Sequence, residues 1–290
     1  MANTLVRNPP RALGRVVRGQ PVSDGAGVKL NRIIGQRDFD MLDPFLLFDE
    51  FRSDRPGDYR AGFPDHPHRG FETVTYLLAG RMRHGDDQGH SGVLVPGGVQ
   101  WMTAGRGIVH SEMPEADDGL LWGFQLWVNL PAGEKMADPR YQDVAPERIP
   151  LVQVARGVEV RVIAGSFGNL VGPIRGVATA PVFFDLALEA GARIDVPVPS
   201  THSAFVYVYE GGAAVGLGAD TQVLLHGELG VLEAGDRVPV ATGDIATRML
   251  VIAGKPLREP VSKYGPFVMN TPEQIVEAIR DLQSGSFSRR

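Results

Sequence analysis

The chain of 290 residues contains no cysteine. Disulfides, thiolate metal sites and thiol nucleophiles are therefore excluded, and any metal must be held by nitrogen and oxygen donors. No stretch approaches the ~20 apolar residues that a membrane-spanning helix needs. Basic charge is not in excess either. The 29 Lys and Arg against 34 Asp and Glu give a net charge of −5. With both signs scattered, direct nucleic-acid binding is not expected. Residues 1–19 carry Arg and Pro without an apolar segment, so no export signal is read there and the expected compartment is cytoplasmic. Nucleotide motifs are missing as well. Gly105-Arg106-Gly107 lacks the third glycine of a dinucleotide fingerprint, and there is neither a Walker lysine motif nor a G-x-S-x-G elbow.

Glycine and proline, by contrast, are abundant, at 36 and 22. Together with short alternating apolar runs they indicate many turns and an all-β class. The length exceeds one ordinary core and predicts two domains. Pro131 to Pro139 reads as a linker, which places the domains at 1–134 and 135–290. A weak echo supports two copies of one design. Tyr76-Leu77-Leu78-Ala79-Gly80 resembles Tyr207-Val208-Tyr209-Glu210-Gly211, and Leu94 to Gly98 resembles Leu232 to Asp236. The C-terminus reads as a helix. Thr271 is the N-cap, Pro272 the first helical residue, Gln274 completes a capping box and Gly285 ends the run. Ile275, Val276, Ile279 and Leu282 form its apolar stripe.

Only seven histidines occur, and three fall in two short stretches. Asp65-His66-Pro67-His68 and His110-Ser111-Glu112 each place two metal-capable side chains two residues apart. On a strand, such residues project to one side. Two strands side by side can then aim three imidazoles and a carboxylate at one point, a set suited to a divalent first-row metal. A Glu facing inward is costly unless partnered, and an ion supplies that partner. If no bulge intervenes, Glu72 shares the side of His66 and His68, as a rival ligand or as a group that orients a His ring. The second copy has no His pair, so no metal is expected there.

Arg69 and Arg106 flank the two stretches. Surface pairing is the expected role, with docking of an anionic ligand as the alternative. Phe63, Trp101, Met102, Met113, Trp122 and Phe124 are candidates for an apolar pocket, although such residues more often form core. His84 and His90 sit beside a hairpin tip and are expected in solvent.

These stretches resemble the pirins, a bicupin family, along nearly the whole chain. The resemblance is carried by Leu42 to Leu46, His66 to Val74, Gln100 to Met113, Gln125 to Pro131 and Gly265 to Thr271. It implies two cupin β-barrels packed face to face, with one metal ion in the N-terminal barrel only. The implied ion is Fe(II), with other divalent ions accepted. The implied ligands are His66, His68, His110 and Glu112, with Glu72 outside the ligand set. Two roles follow from the resemblance. One is a quercetin 2,3-dioxygenase that opens a flavonol with O2 and releases carbon monoxide, with Glu112 as the proton acceptor. The other is an iron-containing redox sensor that binds a transcription regulator or metabolic enzyme.

Overall fold

The computed structural model describes residues 9–115 and 119–288. The first eight residues of the stretch read for an export signal lie outside them. Among the described residues no helix is long and apolar enough to cross a membrane. The chain folds into two compact units. One comprises Gln20–Arg148 and Leu257–Arg290, the other Met1–Gly19 and Ile149–Pro256. The units interleave along the chain, where the sequence suggested one division after residue 134. The reason is strand pairing. Leu13–Arg18 pairs with Glu228–Leu232, and Arg140–Val144, beyond the expected boundary, pairs with Val99–Thr103.

Each unit is a double-sheet β-barrel. In the first, a seven-stranded sheet runs, in spatial order, Arg140–Val144, Val99–Thr103, Phe71–Ala79, Leu121–Asn129, Phe45–Ser53, Val28–Ile34 and Gln20–Asp24. A four-stranded sheet faces it in the order Phe63–His68, Ile108–Pro114, Met82–Asp86 and Ser91–Leu94. The second unit repeats the plan. Its large sheet runs Leu13–Arg18, Glu228–Leu232, Ser203–Glu210, Thr247–Gly254, Val182–Leu188, Val158–Ala164 and Leu151–Ala155. Its small sheet runs Arg193–Pro197, Arg237–Thr242, Gly212–Val215 and Gln222–Leu225. The echo between Tyr76 and Tyr207 is thereby explained, because both lie in the third strand of their large sheets.

Residue type explains which strands are central. Phe71–Ala79 is buried on both faces for most of its length, and its β-branched and aromatic residues suit that place. Arg193–Pro197 alternates exposed and buried, as a strand with one wet face does. The core of the second barrel is apolar and mostly aliphatic, built on Val160, Phe184, Val206, Val238, Val240 and Val251.

The helix Pro272–Ser284 has the expected ends. Thr271 accepts the Gln274 N–H, Gln274 caps back, and Gly285 takes the left-handed conformation at φ 71°. Its buried face differs from the stripe read in the sequence: Ile275, Ala278 and Ile279 pack with Phe267, Met269 and Phe287, while Val276 and Leu282 face solvent. Alanine is only weakly apolar, so a stripe drawn through the large side chains passes Ala278 by.

Candidate metal centre and its cavity

The strands Phe63–His68 and Ile108–Pro114 pair antiparallel, with His66 opposite His110 and His68 opposite Ile108. Residues directly opposite point to the same side. The three imidazoles therefore meet inside the first barrel. Their ring centroids lie 4.6 Å (His66–His68), 4.4 Å (His66–His110) and 5.0 Å (His68–His110) apart. One nitrogen from each ring lies within 4.8 Å of the other two. His66 Nδ1 is 2.8 Å from the Pro64 carbonyl, which fixes Nδ1–H as the donor and leaves the Nε2 lone pair available.

The other two rings are deeply buried and underused. Among the described residues His68 Nδ1 and both nitrogens of His110 have no hydrogen-bond partner. Burial, and then the neighbouring histidines, hold both pKa values well below the usual histidine range. Both rings are thus neutral at neutral pH, the form that binds metal. Unpartnered buried nitrogens are costly, and a metal ion is the partner these converging atoms fit. His68 is walled by Phe71 and Trp127, with ring centroids at 5.0 and 5.3 Å.

Glu112 lies two residues beyond His110 on the same strand and is buried. The tight nitrogen cluster comprises the three histidines alone. Glu112 Oε1 instead accepts a 2.7 Å hydrogen bond from the Thr75 hydroxyl, and the carboxylate lines the same cavity as His66 and His68. Glu72 does not share their side. Gly70, at φ 89°, separates its strand from the histidine strand, and a Cβ there would meet the Val268 carbonyl oxygen at 2.0 Å. The parity count fails across that turn. Glu72 faces away from the cavity, accepting from the Thr103 hydroxyl at 2.6 Å, and burial raises its pKa.

Other expectations also shift. Arg69 is buried, not on the surface. It pairs with Asp281 at 2.7 Å, donates to the Phe287 carbonyl and lies 4.5 Å over the Phe287 ring, tying the C-terminal helix to the histidine strand. Arg106 makes the expected surface pair, with Asp138. His84 is buried, stacked on Tyr141 with its Nε2 3.4 Å from Asp143, while His90 is exposed. His84 lies opposite Glu112 across the small sheet, so it must face inward. Trp101, Met102, Trp122 and Phe124 are core. Met113 is half-buried and Phe63 lines the cavity.

The cavity has a volume of about 670 Å³. Leu30, Leu46, Leu47, Phe51, Phe63 and Trp127 supply apolar walls. Its polar members Arg32, Asp49 and Gln125 belong to a row that crosses the large sheet. Arg32 is opposite Asp49, Asp49 opposite Gln125, Gln125 opposite Thr75, Thr75 opposite Gln100, and Gln100 opposite Asp143. Sequence reasoning missed this row because its members are far apart in the chain. A local signal existed at Asp49, an acid inside the apolar run Phe45 to Phe51, where burial demands a partner.

Two double-sheet barrels, one of them holding a cluster of three histidines, define a two-domain cupin protein. Comparison with known proteins agrees. A model of the pirin family matches residues 27–128, and one of the pirin C-terminal cupin domain matches residues 183–288. A pirin-like protein of Caulobacter vibrioides is 50% identical over 280 residues, covering 96% of this chain and 100% of that protein. Human pirin is 45% identical over 264 residues, covering 90% and 89%. A crystal structure of a quercetin 2,3-dioxygenase from Acinetobacter baumannii aligns with a TM-score of 0.88 at 34% identity, covering 96% and 98%. The chain belongs to the pirin family.

Proposed function

We propose that this pirin is a metal-dependent dioxygenase that opens the flavonol ring of quercetin-type substrates with O2. The observation that carries the reading is the placement of His66, His68 and Glu112 on the wall of a cavity large and apolar enough for a flat polycyclic ligand. The likeness to the Acinetobacter dioxygenase supports it. His66, His68 and His110 are the nitrogen donors, and Glu112 is the fourth ligand. When bound, a divalent first-row ion, Fe(II) in this reading, supplies Lewis acidity that makes a hydroxyl acidic near neutral pH. Glu112 would accept the proton of the flavonol 3-hydroxyl at Oε2, since Oε1 already takes the Thr75 hydroxyl, and would loosen its own hold on the ion in doing so. The apolar walls orient the rings and exclude water. Three neutral imidazoles and one carboxylate leave a divalent site with net charge of about +1, which favours an anionic flavonolate.

The test is aerobic turnover of quercetin by Fe(II)-loaded protein, with detection of carbon monoxide. His110→Ala should lose metal and turnover together. Undiminished quercetin degradation by that metal-free variant would remove the reading.

A second reading is a cytoplasmic binding protein whose affinity for a protein partner follows the ion's oxidation state. It draws on the similarity to human pirin, whose name carries no activity. Equal affinity for the partner in both oxidation states would end it.

A further inference from the structure

The cavity has a second polar group, centred on Arg32, which lies three strand pairings across the large sheet from Thr75, the residue bonded to Glu112. Arg32 and Asp49 form a two-pronged pair, Nε to Oδ1 at 2.9 Å and Nη2 to Oδ2 at 2.7 Å. Nη2 also donates to Asp24 Oδ2 at 2.8 Å, while Asp24 Oδ1 accepts the Gly25 N–H. Three hydrogen bonds to two carboxylates thus lock the guanidinium plane. Among the described residues Nη1 takes part in none of these bonds. Arg32, Asp49 and Asp24 all line the cavity that His66, His68 and Glu112 line.

Folding does not demand this cluster. A buried ion pair returns about what its desolvation costs, and well-packed apolar residues do as well or better. The second barrel makes the point directly. The inner face of its large sheet is lined by Val160, Val162, Phe184, Leu186, Val206 and Val251, and the same plan folds without a polar row. Asp49, with a side chain 4% exposed, is therefore a charge kept for some other purpose.

We propose that Arg32, Asp49 and Asp24 determine specificity by reading neutral hydroxyl groups on the ring of an aromatic substrate that lies farthest from the histidines. The proposal rests on the flavonol reading above. A hydroxyl both accepts and donates, so one group answers Nη1–H and a spare carboxylate lone pair together. One guanidinium and two carboxylates leave the cluster with a net charge of −1, which repels a carboxylate or sulfate on that ring. A bare ring strips water from Nη1 and gives nothing back, and sites built to bond a hydroxyl discriminate strongly against its absence.

The experiment is anaerobic binding, followed by protein fluorescence, of flavonols whose pendant ring carries no hydroxyl, one, two, or a carboxylate. Wild-type protein should bind the dihydroxylated ligand about tenfold more tightly than the bare one. It should bind the carboxylated one more weakly than either. Asp24→Asn should compress the hydroxyl series and relieve the exclusion of the carboxylate. Arg32→Met alone would strand Asp49, so the partner variant is the double change Arg32→Met with Asp49→Leu. It should bind all uncharged flavonols alike. A hydroxyl preference that survives in the double variant overturns the proposal. So does equal binding of all four ligands by wild-type protein, and the dioxygenase reading then stands. Binding of no flavonol at all removes that reading, and the proposal with it.

Discussion

The two barrels share a strand order and differ in what they turn inward. The first presents His66 opposite His110, His68 opposite Ile108, and then Glu112. At the corresponding places in the second stand Ile194 opposite Val240, Val196 opposite Val238, and then Thr242. All four aliphatic residues join the core, and Thr242 donates its hydroxyl to the carbonyls of Glu189 and Ala192, in a turn distant in sequence. One frame therefore serves either as a packed interior or as a site. Backbone plan does not decide which; four side chains, His66, His68, His110 and Glu112, do. The apolar barrel also shows what the other gives up, namely tight packing exchanged for buried nitrogens without partners.

That contrast can be broken at its strongest point first. His110→Ala should reduce bound metal, measured by elemental analysis, to background, whereas Val240→Ala should leave metal content unchanged. Equal loss from both variants would mean that the barrels are not independent in this respect. Next, Thr75→Val removes the hydroxyl bonded to Glu112 and should weaken metal affinity about 10–100-fold, read by chelator competition. Unaltered affinity would take Glu112 out of the ligand set. Third, Val196→Ala should lower unfolding free energy by about 2 kcal/mol through the cavity it leaves, with metal affinity unaffected. Fourth, His110→Val copies the second barrel into the first. In metal-free protein it should raise stability by about 1 kcal/mol, because it deletes unpaired buried nitrogens. A clear loss would show that the imidazole is packed as tightly as the valine it faces in the comparison.

The smallest effect is on pH. His68 and His110 are neutral in the fold because burial depresses their pKa values. In the unfolded chain they titrate near about 6.5. Below that pH the unfolded chain takes up protons that the folded one refuses, so metal-free protein should lose stability as pH falls from about 6.5. Denaturant melts across pH would show it, and His110→Val should remove part of the slope. No residue on the inward row of the second barrel titrates in that range.

Where information was local, the sequence carried it. The i, i+2 histidines needed only the strand period, and the helix ends only the capping box and a glycine. Where a turn interrupts the period, the reading failed. Strand period alone puts Glu72 beside the histidines, and the turn at Gly70 reverses its face. Long-range register was beyond reach altogether. Nothing in a linear chain says that Arg32, Asp49, Gln125 and Thr75 stand side by side. The burial of His84 is hidden for a similar reason, since it comes from Tyr141 on a distant strand. Lys135, read as part of a linker, is likewise buried, donating to the Gly70 and Val268 carbonyls and to Asn129.

The interleaved order of the chain has a consequence for biosynthesis. A ribosome that has released residue 150 has supplied every strand of the first barrel's two sheets, but not the segment Leu257–Arg290 that belongs to the same unit. The strand Leu13–Arg18 must wait, unpaired, until Glu228–Leu232 emerges, and Arg69 has no ring to rest on until Phe287 is made. The sheets of the first barrel can therefore form ahead of the second unit, but each unit is closed only by a segment made much later or earlier in the chain. Its nascent chain is expected to carry one strand of the second barrel, Leu13–Arg18, without its neighbour through most of translation.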